Sequence, residues 1–143
     1  MATDSILKPR SGHKAIRVGD GGTPSIEGFR CNVCGAATCD KTMACRNCGS
    51  RDALTSFRGA ETGKVFTWTV VHRSYPGIKV PFVSAIVDLD DGLALKGTLR
   101  NVDPGAVRPG MPVRVIFDDA GGACDSEGAP YVGFHFEPEG ISA

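Results

Sequence analysis

An excess of charge of either sign is missing from this chain: 16 basic residues stand against 16 acidic ones, and the formal net charge is zero. A protein whose work is to grip nucleic acid takes much of its affinity from a strongly basic surface, so the balance argues against that class. Aromatic residues make up only 7% of the chain, with one tryptophan, and histidine occurs three times. Both residue types are thus thinly supplied for base stacking or for general acid–base work. No run approaches the eighteen or so apolar residues of a membrane-spanning helix. The opening MATDSILKPR has no apolar segment of the kind that directs export. Phosphate-cradling glycine motifs of the P-loop or dinucleotide type are absent too. Glycine, by contrast, is abundant at 19, and proline adds 9, which suits short strands and many turns rather than a helix bundle.

Against these absences stand six cysteines. Without an export signal they predict a reducing, cytoplasmic setting in which thiolates are free to take metal. Four of them, Cys31, Cys34, Cys45 and Cys48, form the pairs CNVCG and CRNCG, separated by GAATCDKTMA. Two CxxC units at such a separation have the spacing of a tetrahedral four-thiolate zinc site, and the glycine after each pair relieves crowding where the backbone turns past the metal. The competing readings are a pair of disulfides or four unrelated buried thiols. A redox CxxC needs only one such motif and a βαβ setting, which neither pair has. With four protein thiolates no coordination position remains for water or substrate, so a zinc ion there is structural. Cys39, between the pairs, is a candidate substitute ligand without a CxxC partner.

The chain is long enough for one ordinary domain, or for a small domain with an appendage. Residues 1–27 are polar and glycine-rich, with GDGGTP in the middle and Ile6, Leu7, Ile16, Val18 and Ile26 scattered singly. They read as an extended arm outside the core, or as a disordered tail. Residues 28–54 form a rubredoxin-like zinc ribbon, too short to fold on apolar burial alone and dependent on its metal. Residues 55–143 change to strand patterns. KVFTWTVVHR, from Lys64 to Arg73, alternates with Phe66, Trp68 and Val70 on one face. VPFVSAIVDL leads into Asp90-Asp91-Gly92, a hairpin signal, and LALKGTL returns from it with Gly97 as a bulge or bend. NVDPGAVRPG allows at most one helical turn, and PVRVIFD and YVGFHF supply two further strands. Five strands with this hairpin and this break predict a mainly β chain ending in a five-stranded OB-fold barrel, with an SH3-like barrel or open sandwich as the alternatives.

Chemistry within the chain has few candidates. His13 lies in the arm, and His72 and His135 lie near strand ends, where neighbours or solvent satisfy a histidine. Cys124 sits in GGACDSEG, whose adjacent Asp125 and nearby Asp118, Asp119 and Glu127 oppose thiolate formation. Asp88, Asp90 and Asp91 suit a solvated turn. Phe66, Trp68, Tyr75 and Phe82 raise the alternative of a single-stranded nucleic-acid binder, although the alternation places Phe66 and Trp68 in a core. Arg73, Lys79, Lys96, Arg100, Arg108 and Arg114 are dispersed and read as surface charge.

Taken together, CNVCG, CRNCG, GKVFTWTVVHR, PFVSAIVDLDDGLALKGTL and VRPGMPVRVIFDD resemble the acyl-CoA-associated zinc-ribbon and OB-fold proteins, domain of unknown function 35, over roughly Gly28 to Phe136. The resemblance implies a cytoplasmic accessory subunit in a hetero-oligomer with a thiolase-superfamily protein, such as an acyltransferase, a hydroxymethylglutaryl-CoA synthase system or a thiolase-like retro-aldolase. The partner then supplies the catalytic cysteine and histidines, while ribbon and barrel stabilise it and help hold the CoA thioester. No catalytic residue of this chain is expected; Cys31, Cys34, Cys45 and Cys48 are the expected Zn2+ ligands. Two stretches depart from the family pattern. AATCDKTMA replaces an aromatic and proline-arginine segment between the cysteine pairs, and GDGGTPSIEG stands where an amphipathic helix commonly leads into the first pair.

Overall fold

The computed structural model describes residues 9–13, 15–19 and 21–139. In chain order the strands are β1 (Arg10–Ser11), β2 (Ile16–Val18), β3 (Pro24–Cys31), β4 (Ala37–Thr38), β5 (Leu54–Arg58) and β6 (Thr62–Val71). There follow β7 (Phe82–Leu89), β8 (Ala94–Leu99), β9 (Pro112–Asp118) and β10 (Tyr131–Pro138). Single turns of 3-10 helix at Pro104–Ala106 and Ala120–Gly122 sit in the last two connections.

Strands β6 to β10 close a five-stranded barrel. Strand β6 pairs antiparallel with β7 on one side and β9 on the other, β7 pairs with β8, and β9 pairs with β10. A parallel contact, Phe136 beside Leu99, joins β10 to β8 and completes the ring. This is the connectivity of an OB-fold, and closure removes the exposed edges that an open sheet would present. Inward residues alternate as a two-residue period demands: Val83, Ala85, Val87 and Leu89 on β7, Leu95 and Leu99 on β8, Val113 and Val115 on β9 are buried. Gly97 makes no bulge, since Ala85–Gly97 and Ile86–Lys96 pair in continuous register. Its bare Cα instead seats two rings: a Cβ there would stand 2.9 Å from Phe134 Cε2 and 3.0 Å from Phe136 Cε2.

The alternation expected for the first barrel strand is corrected by a bulge. The register of β6 against β7 shifts between Val65 and Thr67, inserting Phe66 as an extra residue. An extra residue reverses the parity of every later position on the strand. Val65, Trp68 and Val70 therefore face the core, while Phe66 is 65% exposed.

The reading of the N-terminal residues as lying outside the core is also corrected. Strand β3 pairs antiparallel with β2, β4 and β5, and its first half carries Ile26, fully buried. Ile26 and Ala15 belong to the same apolar cluster as Val65, Val87, Leu93, Val113 and Phe136 of the barrel. Their burial is a tertiary effect: Ile26 packs on Gly59, where a Cβ would come within 2.6 Å of Ile26 Cγ2. Strand β3 runs through the 27/28 boundary expected from the sequence, and β5 runs through the 54/55 boundary. Leu93, from the end of the β7–β8 turn, is buried among ribbon residues, and a Cβ on Gly28 would lie 2.7 Å from its Cδ1. Further back, β1 adds to the start of β10 in parallel, with Arg10 opposite Tyr131. Ile6 and Leu7 lie outside the described residues.

Candidate functional site

The ribbon brings its four paired cysteines together. Strand β3 ends on Cys31, and the two loops around the pairs repeat the same hydrogen bonds. The Val33 N–H donates to Cys31 Sγ and the Asn47 N–H to Cys45 Sγ, each at 3.4 Å. The Gly35 N–H donates to the Cys31 carbonyl at 2.9 Å and the Gly49 N–H to the Cys45 carbonyl at 2.8 Å. Gly35 and Gly49 sit at φ of 80° and 79°, a left-handed conformation that explains the glycine closing each CxxC. The four Sγ atoms all lie within 4.8 Å of one another. Cys31 and Cys48 are separated by 3.7 Å, Cys34 and Cys45 by 3.6 Å.

These separations fit a metal. Metal–sulfur bonds of about 2.3 Å in a tetrahedron give sulfur–sulfur edges of about 3.8 Å, whereas a disulfide requires about 2.05 Å. The electrostatics favour the thiolate at Cys34 and Cys48, whereas at Cys31 the backbone hydrogen bonds are outweighed by burial and the neighbouring sulfurs, and the thiol is raised. The Asn47 side-chain amide, 3.4 Å from Cys34 Sγ, together with the Ala36 N–H, lowers the Cys34 thiol to about 6. The Ser50 hydroxyl and N–H lower Cys48 in the same sense. Four clustered cysteines, two buried and two exposed, can hold a metal ion.

A barrel of OB connectivity joined to such a cluster has clear relatives. Residues 59–118 match the family model for the C-terminal OB-fold domain of ChsH2. A DUF35 domain-containing scaffold protein of Pyrococcus furiosus is 31% identical over 100 residues, covering 68% of this chain and 72% of that protein. The chain belongs to the DUF35 family. Among other relatives, the 3-oxo-4,17-pregnadiene-20-carboxyl-CoA hydratase alpha subunit of Mycobacterium tuberculosis is 47% identical over 58 residues, 40% of this chain. The chain spans only 19% of that relative's length. The benzoylsuccinyl-CoA thiolase subunit BbsA of Geobacter metallireducens is 34% identical over 81 residues, 57% of this chain and 54% of BbsA. In three dimensions the chain resembles a solved Ltp2-ChsH2(DUF35) aldolase chain, with a TM-score of 0.63 and 28% identity over 80% of this chain and 84% of that one.

The remaining candidates are dispersed through this DUF35 chain. Cys39 stands apart from the quartet, packed against the core with its Sγ 3.9 Å from the Ala94 carbonyl. Cys124 is exposed in the β9–β10 connection. His72 is exposed, and His13 stacks edge-on against Phe134, 5.1 Å between centroids. His135 is buried and held at both ends: Nδ1 lies 2.8 Å from Asp118 Oδ2, and Nε2 lies 2.8 Å from Glu137 Oε2. Hydrogen bonding from His135, aided by Asn101 and by the charges of His135 and Arg114, holds the Glu137 carboxyl below its ordinary value. The Asp90 and Asp91 side chains serve the β7–β8 turn, where Asp91 accepts from the Leu93 and Ala60 N–H groups. Tyr75 and Phe66 are exposed, while Trp68 and Phe82 are partly buried.

Sequence reasoning missed the groups that tie ribbon to barrel. The Arg30 guanidinium donates to the Gly35 carbonyl beside the first cysteine pair at 2.9 Å and to the Asp91 carbonyl of the barrel turn at 2.7 Å. It lies over the Phe57 ring, 4.9 Å from the centroid. The register of β3 against β5 sets Phe57 opposite Gly28 and so near Arg30. Asn47, inside CRNCG, was open to recognition as a second-position donor to a thiolate.

Proposed function

We propose that this chain is the non-catalytic accessory subunit of a thiolase-like enzyme acting on a CoA thioester, and that Cys31, Cys34, Cys45 and Cys48 hold a structural zinc ion. The observation that carries this reading is the match to chains named as subunits of CoA-thioester enzymes, one of them a thiolase subunit. The sulfur tetrahedron supports zinc, since four thiolates complete its preferred coordination and leave no position for substrate. When bound, the metal supplies folding free energy to the ribbon, on the order of 10–16 kcal/mol in zinc-finger peptides. The chain's own residues then hold the ribbon on the barrel through Arg30, Leu93 and Ile26. The partner supplies the reacting groups, and this chain stabilises it and helps hold the thioester.

A retro-aldol partner is the second reading, favoured by the likeness to the Ltp2-ChsH2(DUF35) aldolase. Native co-purification from the source cell tests the proposal: a thiolase-superfamily polypeptide should come down with the tagged chain in fixed stoichiometry. Recovery only as a lone polypeptide would overturn it. Assay of the captured complex for thiolysis or retro-aldol cleavage then separates the two readings.

A further inference from the structure

The two cysteine loops repeat each other position by position. Val33 and Asn47 each donate a backbone N–H to the first sulfur of their pair, and the Ala36 and Ser50 carbonyls each accept from that first cysteine's N–H at 2.9 Å. What differs is the side chains at these positions. Val33 and Ala36 of the first loop have nothing to donate, whereas Asn47 and Ser50 of the second each set a donor on a sulfur. The Asn47 amide nitrogen lies 3.4 Å from Cys34 Sγ, across in the first loop, and the Ser50 hydroxyl oxygen lies 3.2 Å from Cys48 Sγ. Both recipients are the exposed members of the quartet, while Cys31 and Cys45 are buried. The side-chain donors therefore stand on the two sulfurs that a reagent in solution can reach.

A thiolate that ligates a metal is already deprotonated, so its reactivity depends on how much negative charge the sulfur keeps. Hydrogen bonds to that sulfur spread its charge and weaken it as a nucleophile. Burial shields Cys31 and Cys45 from reagents, a protection that Cys34 and Cys48 lack. The backbone donors come with the loop whatever its side chains, but the donors on the exposed sulfurs depend on residue identity. We propose that Asn47 and Ser50 guard the exposed half of the metal centre, Asn47 protecting Cys34 and Ser50 protecting Cys48 from electrophiles that would strip a ligand from the ion. The inference rests on the reading of the quartet as a zinc site, and it gives two residues that do not ligate the metal a part in retaining it.

Alkylation of the zinc-loaded full chain with iodoacetamide tests this, the attacking sulfur displacing iodide and becoming a thioether. Native mass spectrometry verifies the zinc content beforehand, and peptide mass spectrometry of the singly alkylated product locates the first cysteine to react. Asn47→Val and Ser50→Ala install the residues that the first loop already carries at the same positions, so the loop geometry accommodates them. Asn47→Val should speed the initial alkylation of Cys34 about three- to tenfold and leave Cys48 unchanged, since part of one hydrogen bond to a charged group is lost as the sulfur's charge is consumed. Ser50→Ala should do the reverse, speeding Cys48 and leaving Cys34 unchanged. Ser50→Thr keeps the hydroxyl and should restore the parent rate at Cys48. Donors that only brace the ribbon would, when removed, accelerate all four cysteines together; that pattern, or initial rates unmoved in both variants, would overturn the proposal. Loss of zinc from Asn47→Val would make Asn47 a brace and overturn its assignment to Cys34, with the two Ser50 variants testing Cys48 independently. A parent chain that takes up no zinc refutes the metal reading and the guards with it. A zinc-loaded chain whose Cys34 and Cys48 ignore both substitutions refutes the guards alone.

Discussion

Replacing Leu93 by alanine asks whether ribbon and barrel unfold as one body. Leu93 leaves the barrel's β7–β8 turn and is fully buried. The space it fills exists because two ribbon-side positions are glycine: a Cβ on Gly28 would stand 2.7 Å from Leu93 Cδ1, and one on Gly59 would stand 3.1 Å from it. Truncation to alanine removes the branched end of the side chain from a site bounded by backbone, which has little room to collapse. Such Leu→Ala changes cost about 2–5 kcal/mol. Against the roughly 5–15 kcal/mol that stabilises a small domain, this is a large share. With a urea slope of about 1–3 kcal/mol per molar, the midpoint should fall by on the order of 1–2 M. Unfolding is followed with two probes at fixed metal concentration: Trp68 fluorescence reports the barrel, and thiol accessibility of Cys31 and Cys45 reports the ribbon. Both transitions should move down together. A thiol transition that stays in place while the fluorescence transition shifts, or a total cost under about 1 kcal/mol, would refute the reasoning. The reciprocal change, Gly28→Ala, overpacks the same contact and should cost about 1–3 kcal/mol. Combined with Leu93→Ala it should cost less than the sum, because the new methyl occupies the space the leucine vacates.

Cys31→Ser and Cys45→Ser should each lose metal by native mass spectrometry, unfold the ribbon and loosen the partner complex. A variant that kept its zinc and its complex but lost the complex's activity would contradict a structural role. Arg30→Ala should lower stability by about 1–2 kcal/mol, the loss of charge-assisted bonds at an exposed site, and accelerate zinc transfer to a chelator, read with a colorimetric dye. An unchanged transfer rate would remove Arg30 as the link between cysteine loop and barrel turn. Because the Glu137 carboxyl is held below its ordinary value of 4.5, its contribution is present above that pH and is lost as pH falls through the folded value. Urea midpoints between about pH 6 and pH 3 should therefore drop less steeply for Glu137→Gln than for the parent chain. Parallel profiles would refute the assignment.

How much of this was legible in the sequence depended on how local each signal is. The cysteine quartet announces itself because spacing and flanking glycines are one-dimensional properties, and the structure gathers those four residues. The strands of the barrel were readable from β-branched alternation, with Pro112–Asp118 found at its observed bounds. Phe66 was misplaced because a bulge changes which face each later residue takes, and no residue type in VFTW marks the insertion. Ile26 looked isolated because Gly59, on which it packs, and Leu93, in the same apolar cluster, are far away in the chain. The Asp118–His135–Glu137 group escaped notice for a similar reason. The i, i+2 spacing of His135 and Glu137 is visible, but Asp118 joins them only through the pairing of β9 with β10.

The parallel pairing of β1 with β10 has a consequence for the order in which the molecule is assembled on the ribosome. Arg10 emerges early, but its backbone partners Pro130 and Tyr131 and its ion-pair partner Asp125 are translated near the other end of the chain. Long loops must close before such contacts repay their entropy. Strand β1 is thus made well before the strand that locks it, and until β10 is released from the exit tunnel it lacks that partner. Ala15 and Ile26, which share an apolar cluster with Leu93, wait in the same way for the β7–β8 turn. A nascent chain stalled before Tyr131 therefore exposes both ends of the barrel seam at once, which makes that interval of synthesis the one most in need of a chaperone.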